Sequence, residues 1–239
     1  MLLGVVEVAI FIGRYLDVLD LTREAARFAS VRDPFSYVEP ANPPVGQLCR
    51  APQDPMRPIG ADFSNVNDRC MTCTDPNFYH FYYSAACIFS PPEGSDVCRV
   101  NDPFCNGLNP YIELNMDTDD VVISVYTVSS RTVSTVWPPA GYWALSDHHE
   151  SGAGDNWRRN CQGDVVRSEP YYTRDRIIAA LNDSVGPSSK GFVAVELYYC
   201  YEQVLNLPLF TQFVPNPIQI HAYTLMSLPA SQPSATPRP

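Results

Sequence analysis

The first thirty residues, Met1 to Ser30, limit what this chain can fold into more than any other stretch, because they read as one helix that changes character along its length. Leu2 to Ile12 is nearly all apolar, broken only by Glu7, whereas Asp17 to Arg27 is amphipathic. Val5, Val8, Ile12, Tyr15, Leu19, Thr22, Ala26 and Ala29 recur at alternating three- and four-residue steps, which places them on one stripe of a helix. Asp17, Asp20, Arg23, Glu24, Arg27 and Ser30 fall opposite. In Asp20 with Arg23 and Glu24 with Arg27 the acid lies N-terminal to its base, worth about 0.2–0.5 kcal/mol per pair. Pro34 then predicts an end near Asp33.

Cysteines locate the part of the chain least able to build a core. Of the eight, at 49, 70, 73, 87, 98, 105, 161 and 200, six crowd between Cys49 and Cys105, among Pro, Asn and Asp and with little periodic apolar pattern. Such a segment buries little and calls for covalent staples, which predicts disulfides and an oxidising space outside the cytoplasm. Connectivity is not readable from spacing, although Cys161 lies in a loop that could reach Cys200 on a strand. Zinc is the rival, but Cys70-Met-Thr-Cys73 is one hook without a second. The net charge of -10 argues against a nucleic-acid partner, since phosphate binding needs clustered Lys and Arg.

Four regions follow: residues 1–33, an apolar-to-amphipathic anchor or assembly helix; 34–110, a Pro- and Cys-rich insertion; 111–227, an α+β lobe with antiparallel strands; and 228–239, a Pro- and Ser-rich disordered tail. The run Phe78 to Tyr83 is read as aromatic packing for the small disulfide-rich lobe. Tyr111–Met116 and Val121–Val136 have the β-branched alternation of strands, with Asp117-Thr118-Asp119-Asp120 as a polar turn between them and no calcium-loop pattern. A long loop follows Trp137-Pro138-Pro139 and carries His148, His149 and Glu150, whose spacing is not that of a zinc protease. Tyr172–Val185 predicts a further helix with Thr173 as N-cap and Ile177, Ile178 and Leu181 inward. In Phe192–Val204, Val193, Val195, Leu197, Tyr199 and Tyr201 alternate with Ala194, Glu196, Tyr198 and Cys200 as the two faces of a strand, and Ile218–Met226 supplies the last one.

Gly13-Arg14-Tyr15-Leu16, followed by Arg23-Glu24-Ala25-Ala26-Arg27-Phe28-Ala29-Ser30, resembles the signature of TadE/TadG-like pilus-assembly proteins, with the family's Ala-Ala-Arg-Glu-x-Ala-Arg block permuted. The Val-x-Val-x-x-Tyr-x-Tyr strand, Leu-Pro-rich connection and final Ile-x-Ile-x-Ala strand are similar to that family as well. The resemblance implies a pilin-like α+β protein whose N-terminal helix packs with like helices, at or in a membrane, while the bulk lies outside the cytoplasm. Helix-packing candidates are Gly13, Tyr15, Leu19, Ala25, Ala26 and Ala29, small or apolar residues that allow close approach. Glu7 and Arg14, one heptad apart, would need partners on neighbouring helices or in water. The family's anchor is longer than this stretch of about a dozen apolar residues, against the ~20 that span a bilayer, so the reading frame is expected to extend upstream of Met1.

No nucleophile elbow, phosphate-binding glycine loop or metal motif is present, which favours a non-enzyme without cofactor. Three readings are carried forward. The first is a structural or assembly component of a Tad-type pilus with pilin-like partners; the second is a secreted disulfide-rich binding module; the third is a metal-dependent surface enzyme using the His148–Glu150 loop.

Overall fold

The computed structural model describes residues 2–31, 81–86, 88–89, 112, 114–138, 140–147, 154–183, 189–205 and 215–228. Three helices, α1 (Leu2–Ser30), α2 (Phe81–Ala86) and α3 (Arg174–Asp183), accompany five strands: β1 (Asp120–Ser129), β2 (Thr132–Trp137), β3 (Trp143–Ala144), β4 (Ser189–Tyr201) and β5 (Ile218–Ser227). The strands form one antiparallel sheet ordered β2-β1-β4-β5, with β3 paired to β1 on the side of β2. The class is α+β, as the sequence predicts, with α2 as an additional short helix.

Alternation along β4 divides the sheet into two unlike faces. Val193, Val195 and Leu197 join Val121, Ile123 and Val125 of β1 and Ile220 and Ala222 of β5 under α1. The other face carries two smaller clusters: Tyr126, Val128 and Ala194 pack against Ile177 and Leu181 of α3, while Val122 and Tyr198 pack against Trp157. The N-cap of α3 is present, the Thr173 hydroxyl accepting the Arg176 N–H at 3.3 Å.

Helix α1 is no independent appendage. Val18, Leu21, Ala25, Ala26 and Ala29 are buried in the same cluster as the strands, and α2 adds Phe81, Tyr82, Ala85 and Ala86 to it. Of the aromatic run, Phe81 and Tyr82 therefore pack in the main core, where the Tyr82 ring stacks on Trp143 at 5.6 Å; Phe78, Tyr79 and His80 lie outside the described residues. Small alanines on α1 let its backbone lie close to the sheet, which occupies the surface assigned from sequence to neighbouring helices.

Other expectations need correcting. The buried face of the first half of α1 is turned by about one residue: Glu7 and Phe11 lie toward the protein, while Val5, Val8, Ile12 and Tyr15 are exposed. A nearly all-apolar run carries no periodic cue to choose between these faces. Leu114 and Asn115 lie in no strand and Met116 begins a turn. The predicted strand Val121–Val136 is a hairpin, reversing at Ser130 and Arg131 with φ of 52 and 60. Neither residue is the glycine or asparagine that usually announces such a turn. The stretch after Trp137 is not one long loop, since it contains β3 and two short 3-10 turns, Leu145–Asp147 and Asn156–Arg158. Leu228, placed in the tail, is buried, and its N–H donates to the Gly191 carbonyl at 2.9 Å.

This packing predicts opposite outcomes for two residues grouped together by sequence. Ala26→Leu overfills the α1–sheet core and should lower stability by about 1–3 kcal/mol. Gly13→Leu, whose Cβ would meet nothing within 4 Å, should leave stability unchanged or slightly raised. Denaturant titration of both variants is the check.

Candidate functional site

Apart from Glu7 and Arg14 the first half of α1 is apolar, yet only one side of it is covered. Leu3, Val5, Val6, Val8, Ile10, Ile12, Tyr15 and Leu16 are exposed, with Val5 at 67% and Leu3 at 57%. Over about fifteen residues this makes an apolar half-cylinder roughly 22 Å long. Beyond Leu16 the exposed side turns polar, and its charges pair within the helix: Arg23 to Asp20 at 3.2 Å and Arg27 to Glu24 at 2.6 Å. Val204, 64% exposed in the connection after β4, extends the apolar surface onto the lobe, because its own N–H is bound to Glu7.

Glu7 is the interruption that fixes this geometry. Its carboxylate is buried and accepts from the Tyr201 hydroxyl at 3.2 Å, the Val204 N–H at 3.0 Å and the Leu205 N–H at 2.7 Å. A buried carboxylate needs such donors, and here they come from the protein's own β4 end rather than from a neighbouring helix. Burial, then the Glu7 charge, raises the Tyr201 phenol above its ordinary value. Arg14 lies 3.9 Å from Asp17. Both charges in the apolar half thus have partners within the chain.

Helix-packing candidates consequently separate into two sets. Gly13 and Tyr15 face outward, whereas Ala25, Ala26 and Ala29 are fully buried inside the molecule and Leu19 packs partly against the core. Among the cysteine candidates, Cys161 and Cys200 are bonded, with a Cα–Cα distance of 5.7 Å, tying the loop after Trp157 to β4. Cys49, Cys70, Cys73, Cys87, Cys98 and Cys105 lie outside the described residues, as do His148, His149 and Glu150.

Sequence reasoning gave no role to Glu196, which is buried on the face away from α1. Its carboxylate accepts the N–H groups of Tyr171 at 2.9 Å and Tyr172 at 2.8 Å and the Tyr198 hydroxyl at 2.6 Å, with His221 Nε2 at 3.2 Å. The His221 ring stacks on Tyr198 at 4.2 Å, and the Arg167 guanidinium lies 4.7 Å from the same Tyr198 ring centre. Burial, then the Glu196 charge, pushes the Tyr198 phenol up. This cluster holds the turn that launches α3 against β4. The one signal for it in the sequence was an acid within the inward register of a strand.

Asp119 and Asp120, expected in a solvated turn, are buried as well. Asp119 accepts from the N–H groups of Asn115 and Cys200, and Asp120 from the N–H and hydroxyl of Ser146 and the Trp157 N–H. Their oxygens are taken up by backbone and hydroxyl donors, and no group of three or more metal-ligating side chains occurs among the described residues. Nor is any helix among them long and apolar enough to cross a membrane. No family model, curated protein or solved structure matches the chain.

Burial outweighs those hydrogen bonds and raises Asp120 to about 7 and Asp119 to about 6. A carboxyl whose folded-state value exceeds its unfolded one binds more protons when folded, so it destabilises at high pH and the penalty fades as pH falls through 7. Between pH 8 and pH 5 the protein should gain about 2–3 kcal/mol relative to Asp120→Asn, which lacks that titration. Denaturant midpoints for both proteins across that range give the comparison.

Proposed function

We propose that this chain is a non-enzymatic structural or assembly component of a Tad-type pilus or related surface filament, joined to like subunits through the outward half of α1. The observation that carries the reading is a half-helix apolar apart from Glu7 and Arg14, covered by its own protein on one side only. A helix of that composition is ordinarily enclosed on all sides. Glu7 is buried and Arg14 is paired with Asp17, so the outward surface carries no unpaired charge and suits a second copy of itself better than an oppositely charged partner. Covering even half of the area that these eight side chains leave exposed is worth roughly 3–6 kcal/mol before the losses of association are counted.

The pilin-like assignment rests on the resemblance at Gly13–Leu16 and Arg23–Ser30, together with a long N-terminal helix laid along an antiparallel sheet. The Cys161–Cys200 bond supports a location outside the reducing cytoplasm, in a filament or held at a membrane. In this reading the alanine half of α1 builds the subunit and the apolar half joins subunits.

Val5→Glu and Ile12→Glu place charge on the outward side without touching the core. Each should raise the self-dissociation constant at least about tenfold, that is by ~1.4 kcal/mol, while leaving the unfolding midpoint of the subunit unchanged. Sedimentation equilibrium is the measurement. Association that both variants leave intact, or a wild-type chain monomeric at sub-millimolar concentration, would favour a secreted binding module instead.

A further inference from the structure

The sheet ends differently at its two edges. At one, the Arg174 side chain donates to the Val133 carbonyl of β2 at 2.9 Å, so that edge is partly capped. At the other lies β5, ten residues long, reading Ile-Gln-Ile-His-Ala-Tyr-Thr-Leu-Met-Ser, with no Lys, Arg, Asp, Glu or Pro. Charged residues, proline and bulges are the usual guards of an open edge, and β5 has none of them.

Hydrogen-bond parity identifies its open groups. The Leu228 N–H donates to the Gly191 carbonyl, and the β4–β5 register runs without a break from Phe192 opposite Ser227 to Tyr201 opposite Ile218. Antiparallel pairs alternate between bonded and non-bonded, so the even-numbered residues of β5 bond to β4 and the odd-numbered ones turn their N–H and C=O outward. Gln219, His221, Tyr223, Leu225 and Ser227 are those residues, and their outward backbone groups have no partner among the described residues.

We infer that β5 is a second self-association surface, at which the β5 edge of one copy pairs antiparallel with the β5 edge of another about a two-fold axis beside Tyr223. This goes beyond the α1 interface and does not depend on it. A two-fold axis requires a strand that is compatible with itself. β5 meets that requirement because it has no Lys, Arg, Asp or Glu to face its own copy, and its histidine, His221, is already set against Glu196. Pairing unlike edges head to tail would instead have to displace Arg174 from Val133.

Flanking side chains extend the surface on both faces. Tyr171 stacks on Tyr223 at 4.0 Å and carries the Arg176 guanidinium 4.5 Å from its ring centre. On the other face of the sheet α1 packs over β5, whose Ile220 and Ala222 lie in the cluster beneath it. Two copies joined in this way share a continuous eight-strand path, with both α1 helices on one face.

Residue-resolved amide exchange on the full chain, at low-micromolar and at sub-millimolar concentration, tests the pairing without any substitution. The odd-numbered amides of β5 should exchange at least about tenfold more slowly at the higher concentration, while the even-numbered ones, already bonded, change little. Equal exchange of the odd amides at both concentrations overturns the inference. Tyr223→Phe removes the hydroxyl bond to Tyr171 but keeps the outward N–H and should associate as wild type; Tyr223→Pro removes that N–H and no backbone bond to β4, so it should weaken association about tenfold with the unfolding transition retained. If the proline variant associates as well as wild type, the edge is not the contact. Concentration-dependent protection that persists in Val5→Glu would establish the edge even where the α1 reading had failed.

Discussion

The structure depends on a carboxylate placed where the helix would otherwise be free. Glu7, inside the most apolar stretch of α1, accepts three hydrogen bonds from the end of β4 and the two residues that follow Glu202 and Gln203. Those bonds tie the first half of the helix to the sheet, while Val18, Leu21, Ala25 and Ala29 tie the second half by burial. Because the two attachments lie on one face, the helix is fixed in rotation as well as position. The apolar residues left outside are therefore a defined surface rather than a fraying end.

A second buried carboxylate organises the other side of the sheet. Glu196 holds the Tyr171–Tyr172 turn, His221 and Tyr198, and so joins α3, β4 and β5 at one point. The Cys161–Cys200 bond closes a separation of 39 residues beside it. In the chain-entropy account a loop of that length contributes about 3–4 kcal/mol by restricting the unfolded chain.

Much of this was legible from patterns of fixed period. The two faces of β4, the Thr173 cap, the Asp20–Arg23 and Glu24–Arg27 pairs and the Cys161–Cys200 bond follow from alternation, capping chemistry and plausible reach. What failed did so where the pattern is silent. Val5 and Phe11 are equally apolar, so only the contacts of Glu7 decide which faces inward. Ala26 and Gly13 are equally small, yet one lies against the sheet and the other against open space. Asp119 and Asp120 looked like turn residues because their donors, Cys200 and Trp157, are distant in sequence. The hairpin at Ser130–Arg131 adopts positive φ without a residue that favours it.

The central claim is that α1 and the sheet are one cooperative unit locked by Glu7, with the helix presenting its apolar side as part of that unit. Equilibrium unfolding followed at two places, a fluorophore on exposed Asp20 replaced by cysteine and the amides of β4, measures it most directly. The account predicts coincident transitions, which Glu7→Ala shifts together to lower denaturant by about 2–4 kcal/mol as the three donors lose their acceptor. A helix signal that melts first while β4 stays protected, or a Glu7→Ala chain as stable as wild type, would contradict it.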